Sequence, residues 1–265
     1  MTRLTRTPAE LQQLLIGAPG VSLVPTMGAL HSGHISLVRE AKKLGNPVVV
    51  SIFVNPLQFA PGEDLDAYPR TFDEDLAKLE AEGVDAVFAP SVSTMYPHGP
   101  RTTIHPGPLG SVLEGKTRPT HFAGVLTVVA KLFCLTGATD AFFGEKDYQQ
   151  LALIRQMVED LHLPVRVHGC PIVREESGLA LSSRNRYLSE EEREAALVLS
   201  RALATGSYEE ASLLLDAAPN VALDYLAVTT PELGELPADY RGPARLLVAA
   251  KVGETRLIDN VAIEI

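Results

Sequence analysis

The stretch that decides the fold is VSLVPTMGALHSGH, residues 21–34. Residues 21–25 are short, apolar and closed by proline, which reads as the end of a buried strand. Residues 26–32 form a loop of small side chains. A helix follows from about Gly33, with Ser32 as its expected N-cap. Leu37, Ala41 and Leu44 recur at i, i+4 and i+7 and give that helix one apolar face. A buried strand that feeds a helix through such a loop is the unit from which parallel sheets are wound.

The chain repeats that unit. Residues 48–54 (VVVSIFV) are apolar without alternation, as in a strand covered on both faces. Thr71-Phe72-Asp73-Glu74 fits a capping box opening a helix that runs to Gly83, ahead of a strand at residues 86–88. Residues 121–135 read as a buried helix and 141–143 as a strand. Residues 146–161 read as a helix with Leu151, Ile154, Val158 and Leu161 on one side, and 165–167 closes the series. The expected fold class is therefore α/β, a Rossmann-like doubly wound parallel sheet over residues 1–172. After about residue 173 the pattern changes. Residues 175–178 read as a turn, and Ser189 caps a helix that opens on three glutamates. Residues 224–228, 245–252 and 256–263 read as strands, the last two joined as an antiparallel hairpin. This predicts a smaller C-terminal α+β domain over residues 173–265.

The 265 residues are 46% hydrophobic and 21% charged, which excludes a disordered or fibrous chain. Lys plus Arg number 23 against 33 Asp plus Glu, a net charge of −10. Such a chain is a poor general binder of nucleic acid or anionic membrane, so an anionic substrate requires a local cluster of cations. Two cysteines, Cys134 and Cys170, cannot build a disulfide framework and read as small buried hydrophobes. No apolar run reaches the ~18 residues of a membrane helix, and the opening residues lack a secretory apolar core. The expected location is the cytoplasm.

Ligands of doubly wound sheets bind beyond the carboxyl ends of the strands. Four segments carry chemistry, three of them there and one, at residues 181–187, in the loop before the second domain's helix. In the first, His31 and His34 flank Gly33 at a helix N-terminus, where N–H groups and the helix dipole favour an anion. The alternatives are a turn carrying two surface histidines, or a metal site that lacks a third ligand. In the second, FFGEKDYQQ at 142–150, Gly144 permits a tight turn, Lys146 offers a charge to a polyphosphate, and Asp147 suits a ribose hydroxyl or a helix cap. In the third, LSSRNRY at 181–187, two hydroxyls and an arginine suit phosphate oxygens. In the fourth, SIFVNPLQ at 51–58, Asn55 and Gln58 suit a small polar substrate, although Asn-Pro also begins turns. Glu74 and Asp75 are candidate Mg²⁺ ligands, and Glu74 is also wanted by the capping box.

Taken together these runs resemble the pantoate–β-alanine ligases. The matching segments are PTMGALHSGH (25–34), SIFVNPLQF (51–59), DAYPRT (66–71), RPTHFAGVLTVVAKLF (118–133), FFGEKDYQQL (142–151), VREESGLALSSRNRYL (173–188) and RLIDN (256–260). His31-Ser32-Gly33-His34 also resembles the HxGH signature of the wider nucleotidylyltransferase superfamily. The resemblance implies AMP-forming ligation of pantoate to β-alanine through a pantoyl adenylate, with Mg²⁺ accompanying ATP and a homodimer built on the larger domain.

The same resemblance assigns roles to single residues. His34 is implied to be the proton donor or the transition-state stabiliser, with His31 also contacting phosphates. Lys146 and Arg184 hold the β- and γ-phosphates, with Ser182 and Ser183 in support. Met27, Gly28, Ala29, Leu30, Ser32, Gly33, Gly144, Glu145, Asp147, Val173 and Leu181 line the nucleotide site. Gln58 and Gln150 bind pantoate, with Gln58 also placed for the incoming amine, while Asn55 is a substrate contact expected from its residue type and place. The second domain is implied to act as a lid. Leu181 stands where the family pattern suggests methionine, a swap that conserves volume. The helical part of the second domain, residues 189–219, is short for the family. The alternative activity is nucleotidyl transfer to a phosphorylated acceptor, which would want more cations than Gln58 and Gln150 provide. A further alternative, a non-catalytic nucleotide-binding module, would have no use for His34.

Overall fold

A computed structural model describes residues 1–265. The chain divides into two compact units. One comprises residues 1–145 and 153–170, the other residues 146–152 and 171–265. The short segment 146–152, expected with the first domain, groups with the second.

The elements in chain order are β1 (Arg3–Thr5), α1 (Pro8–Leu15), β2 (Ser22–Thr26), α2 (Ser32–Lys42), β3 (Val48–Ile52), α3 (Phe72–Ala81), β4 (Ala86–Phe88), α4 (Val92–Met95), α5 (Glu114–Thr117), α6 (His121–Thr136), β5 (Asp140–Gly144), α7 (Tyr148–Asp160) and β6 (Arg166–Cys170). They are followed by α8 (Glu190–Ala204), α9 (Tyr208–Asp216), β7 (Val221–Thr229), β8 (Pro243–Val252) and β9 (Thr255–Glu264).

In the first unit six parallel strands lie in the order β1-β4-β3-β2-β5-β6. Val24, Val50 and Val87 share a face and pack with Leu37, Val38 and Ala41 of α2 and Leu79 of α3. Leu23 and Val49, one residue out of phase, are equally buried on the opposite face. Burial on both faces explains why β2 and β3 read as unbroken apolar runs. The strand order reverses at β2 and β5. Their pairing covers only Ser22 with Asp140 and Leu23 with Ala141, so both strands run on unpaired with each other toward Thr26 and Gly144. Pro25, which has no N–H to offer a ladder, lies in that unpaired part. Loops that follow the two strands at this switch point are where a ligand is expected.

Several local expectations change. β1 and α1 are not among the elements read from the sequence, although Thr7-Pro8-Ala9-Glu10 has the spacing of a capping box. β1 is three residues long and exists by pairing with β4, and α1 opens on a capping box of Thr7 and Glu10. The box at Thr71 does not form, because the Thr71 hydroxyl donates to Asp75 at 3.2 Å instead. Leu161 lies beyond α7 and is exposed. Cys134 is exposed on α6, while Cys170 is buried as expected.

In the second unit β7-β8-β9 form an antiparallel sheet. Leu246, Val248, Ala250 and Val252 alternate along β8 and pack against Ala196, Leu199 and Leu203 of α8 and Ala211 and Leu215 of α9. The capping box of Ser189 and Glu192 at the start of α8 is present.

Candidate active site

The loop after β2 is built by backbone chemistry. Thr26 donates its hydroxyl to the Ser51 carbonyl (2.7 Å) and accepts from the Gly28 N–H (3.2 Å). Gly28 and Ala29 both have positive φ, +85° and +51°. At Gly28 a Cβ would also press on the Asp75 carboxylate and Ile52, each 3.2 Å away, so any other residue there would be strained. The fully buried Asp75 then clamps the loop. Its two oxygens accept the N–H groups of Ala29 (2.8 Å) and Leu30 (2.7 Å), and Lys78 donates to the Leu30 carbonyl (2.8 Å).

This clamp delivers the two histidines to the start of α2. His31, not Ser32, is the N-cap. It is extended, and its Nδ1 accepts from the Gly33 N–H (3.2 Å). The Nδ1 of His34 accepts from the His31 N–H (3.3 Å), closing a reciprocal capping box made of two imidazoles. The rings lie 4.1 Å apart between centroids. Because each Nδ1 is an acceptor, the neutral rings carry their proton on Nε2. The arrangement sets two Nε2–H donors at the N-terminus of a helix, where anions are stabilised.

Gln58 ends a 3-10 turn, Pro56–Gln58, directly after β3. Asn55, expected to touch substrate, is instead completely buried and fully engaged. Its amide donates to the Gln58 side-chain oxygen and to the Gly124 carbonyl, both at 3.0 Å. Its oxygen accepts from Tyr96 (2.9 Å) and the Leu57 N–H (3.4 Å). Four bonds exhaust an asparagine side chain, so Asn55 holds Gln58. Burial pushes the Tyr96 phenol up to about 12, which keeps it a neutral donor. Gly124 allows this packing, since a Cβ there would collide with the Leu57 carbonyl.

The Gln58 carbonyl lies 2.9 Å from Nδ1 of His121 and 3.2 Å from the Arg118 guanidinium. Arg118 is itself paired with Glu63 through two bonds, at 2.9 and 2.7 Å. Burial alone would raise the Glu63 carboxyl, but Arg118 outweighs it and holds the group below its ordinary range. The Gln58 amide nitrogen faces Met27 sulfur at 3.9 Å.

Around Gly144 a Cβ would meet nothing within 4 Å and φ is not positive. The turn therefore does not demand glycine, and its absence of a side chain leaves open space at the end of β5. Glu145 follows in the same unit.

In the second unit Lys146 lies 3.8 Å from Asp147 in a 3-10 turn, ahead of half-buried Gln150. Residues 173–181 form a narrow hairpin. The Leu181 N–H bonds the Val173 carbonyl (3.0 Å), Arg174 bridges Ala180, and the Glu175 N–H bonds the Leu179 carbonyl (2.8 Å). Ser182 caps the turn Ser183–Tyr187 by accepting from the Arg184 N–H (3.3 Å). The turn is anchored by buried Asn185, which donates to Glu175 (2.9 Å) and the Ala180 carbonyl (3.0 Å). Arg193 pairs with Glu175 at 2.8 Å and bonds the Asn185 carbonyl. Ser182, Ser183 and Arg184 are half-buried.

The carboxylates proposed for metal do not form a site. Glu74 is exposed, and Asp75 is sealed in the core with both oxygens taken by the loop. No group of three or more His, Cys, Asp or Glu is placed to hold a metal ion. The sequence points to Asp75 only by its charge, and its clamping of residues 29–30, like the roles of Lys78, Tyr96 and Gly124, leaves no local signal.

The sequence model of the family described as Pantoate-beta-alanine ligase matches residues 3–262. A pantothenate synthetase of Corynebacterium jeikeium (strain K411) is 64% identical over 254 residues, covering 92% of this chain and 82% of the relative. One of Nocardia farcinica (strain IFM 10152) is 61% identical over 253 residues, covering 92% and 79%. The solved pantothenate synthetase of Thermus thermophilus is 49% identical with a TM-score of 0.91 over 98% of each chain. The pantoate-beta-alanine ligase of Francisella tularensis, solved with beta-gamma ATP and beta-alanine, is 34% identical with a TM-score of 0.84, covering 98% of this chain and 97% of that one.

Proposed function

The chain belongs to the pantoate-beta-alanine ligase family, and on that premise we propose the route by which it joins its substrates. It is an ATP-dependent ligase of pantoate and β-alanine. In the first half-reaction the pantoate carboxylate oxygen attacks the α-phosphorus of ATP. The bond to the bridging oxygen breaks, pyrophosphate leaves, and pantoyl adenylate forms. In the second the free amine of β-alanine attacks the acyl carbon, the acyl–oxygen bond breaks, and AMP leaves as the nitrogen gives up a proton. The sequence makes chemical sense because a carboxylate acylates nothing until its oxygen becomes a good leaving group.

Negative charge grows on the α-phosphate oxygens and on the departing pyrophosphate, so donors fixed in advance lower the barrier. His34 and His31 supply Nε2–H groups to the phosphates, reinforced by the dipole of α2. Lys146 and Arg184 balance the β- and γ-phosphates, with Ser182 and Ser183 as further donors. Met27 to Gly33, Gly144, Glu145, Asp147, Val173 and Leu181 surround the nucleotide, and Gln58 and Gln150 hold pantoate. Mg²⁺ would accompany ATP as part of that substrate and offset phosphate charge, since Asp75 is committed to the loop and Glu74 is exposed. That suits an ion that keeps much of its hydration and takes few protein carboxylates. The neutral setting of Gln58, where Glu63 offsets Arg118, disfavours a second phosphorylated substrate. The protein works in the cytoplasm as a homodimer built on the first unit; no helix is long and apolar enough to cross a membrane.

The observation that carries this reading is the pair of imidazoles whose Nδ1 atoms are both committed to backbone N–H groups. The test is ATP–pyrophosphate exchange. Exchange that requires pantoate and not β-alanine is the expected result. Exchange without acid, or none with pantoate, would overturn it. Equilibrium sedimentation tests the dimer, and a monomer alone would remove that part.

A further inference from the structure

The RLIDN run, residues 256–260, lies on β9 and takes no part in the chemistry above. Two of its side chains hold segments of the second unit that carry cations. Asn260 is 2% exposed, and its amide donates to the backbone carbonyl of Lys146 at 3.1 Å. Asp259 is 4% exposed and accepts both arms of the Arg174 guanidinium, at 2.6 and 3.0 Å. One Asp259 oxygen also accepts the Asn260 N–H at 2.8 Å. Arg174 in turn donates to the Gly178 carbonyl (3.1 Å), which closes the hairpin that runs straight into Ser182, Ser183 and Arg184.

The strand register explains how one dipeptide reaches both segments. Asp259 pairs with Val248 on the face covered by α8 and α9, whereas Asn260 pairs with Leu247 on the other. Successive strand residues point to opposite faces, so the pair grips one segment on each side of the sheet.

We propose that Asp259 and Asn260 are positioning residues that set where Lys146 and Arg184 present their charges to the triphosphate of ATP. This rests on the two-step reading above, and it makes a distinction inside that reading. Pyrophosphate is present only in the first half-reaction. Misplacing its cations impairs that half and spares the second, whereas a merely structural role would weaken both.

The experiment compares two assays on the full chain: pantoate-dependent ATP–pyrophosphate exchange, and conversion of supplied pantoyl adenylate with β-alanine to pantothenate. Asn260→Asp keeps the shape but turns the amide donor into an acceptor facing a carbonyl. Asn260→Ala removes the bond without adding charge, and Asp259→Asn weakens the grip on Arg174. The KM for ATP in exchange should rise roughly tenfold for Asn260→Ala, the loss of one buried hydrogen bond, and at least as much for the other two. Conversion of supplied adenylate should stay within about twofold of the parent enzyme. An unchanged KM, an effect confined to Asn260→Asp, or equal loss in both assays would overturn the inference. Parent enzyme with no pantoate-dependent exchange would overturn the functional reading and this inference with it. Normal exchange by parent and variants alike overturns the inference alone.

Discussion

The two ends of the parallel sheet carry the same kinds of side chain and use them in opposite ways. At the amino ends of β5 and β6, Asp140 is completely buried and accepts from Arg166 (2.9 and 3.1 Å), His168 (2.8 Å) and Thr139 (2.9 Å). The His168 ring stacks on Phe142, with centroids 4.6 Å apart and ring planes nearly parallel, 9° from each other. These side chains satisfy one another. At the carboxyl ends, Asp75 and the Nδ1 atoms of His31 and His34 are spent on backbone N–H groups. Those bonds shape a loop and assign the ring protons to Nε2. A polar cluster whose members consume each other is a brace. A cluster whose members bond the backbone becomes a mount that fixes a loop and the orientation of its rings.

That contrast can be broken by substitution. The largest effect belongs to the mount: His34→Ala should lower turnover by roughly 10²–10³-fold, as for the loss of one preorganised donor. Parent-like turnover would remove His34 from the mechanism. Lys146→Ala should follow, lowering kcat/KM for ATP by roughly 10–10²-fold through loss of a charge-assisted bond while leaving the thermal transition in place. Loss of that transition would mark Lys146 as structural. Asp75→Asn should come third, with turnover down roughly tenfold, because the new amide donor faces a backbone donor. If turnover holds, the clamp does not set the histidines.

The brace should show the smallest effect on catalysis. Asp140→Asn is expected to leave turnover within about twofold and to cost about 1–2 kcal/mol of stability, modest because Arg166 is largely exposed. A large loss of turnover would dissolve the contrast. The pH profile sharpens it. Burial alone would raise the Asp140 carboxyl, but hydrogen bonds from Arg166, His168 and Thr139 outweigh it and hold the group below its ordinary 3.8. Its stabilisation is therefore present above that value and is lost as pH falls through the lower folded one. Acid unfolding of Asp140→Asn should lack this component, and parallel curves for parent and variant would show that the network contributes nothing.

Legibility follows range. β3 and β4 are visible as short apolar runs, and the Ser189 box is visible because cap and partner are three residues apart. Ser32 reads as a cap because histidine is not an ordinary N-cap, and only the extended backbone of His31 shows that its ring fills that place. The Thr71 box fails because a tertiary partner, Asp75, competes for the hydroxyl. Asn55 looks like a ligand because it follows a strand at the binding end, but Tyr96 and Gly124, 41 and 69 residues away, consume it. Cys134 looks buried because its helix is apolar overall, and one helical position still faces water.

By itself the sequence determined the alternation of parallel strands and helices, the change of pattern near residue 173, and the family, through runs of residues that meet in order along the chain. Periodicity and capping are short-range forces, and they are written locally. The tertiary structure alone decided which atoms of each polar side chain are spent on the fold. Asp75 reaches Ala29 across 46 positions, and Asn260 reaches Lys146 across 114. A buried hydrogen-bonding group must find a partner wherever packing puts one, so its role depends on neighbours that no local pattern names.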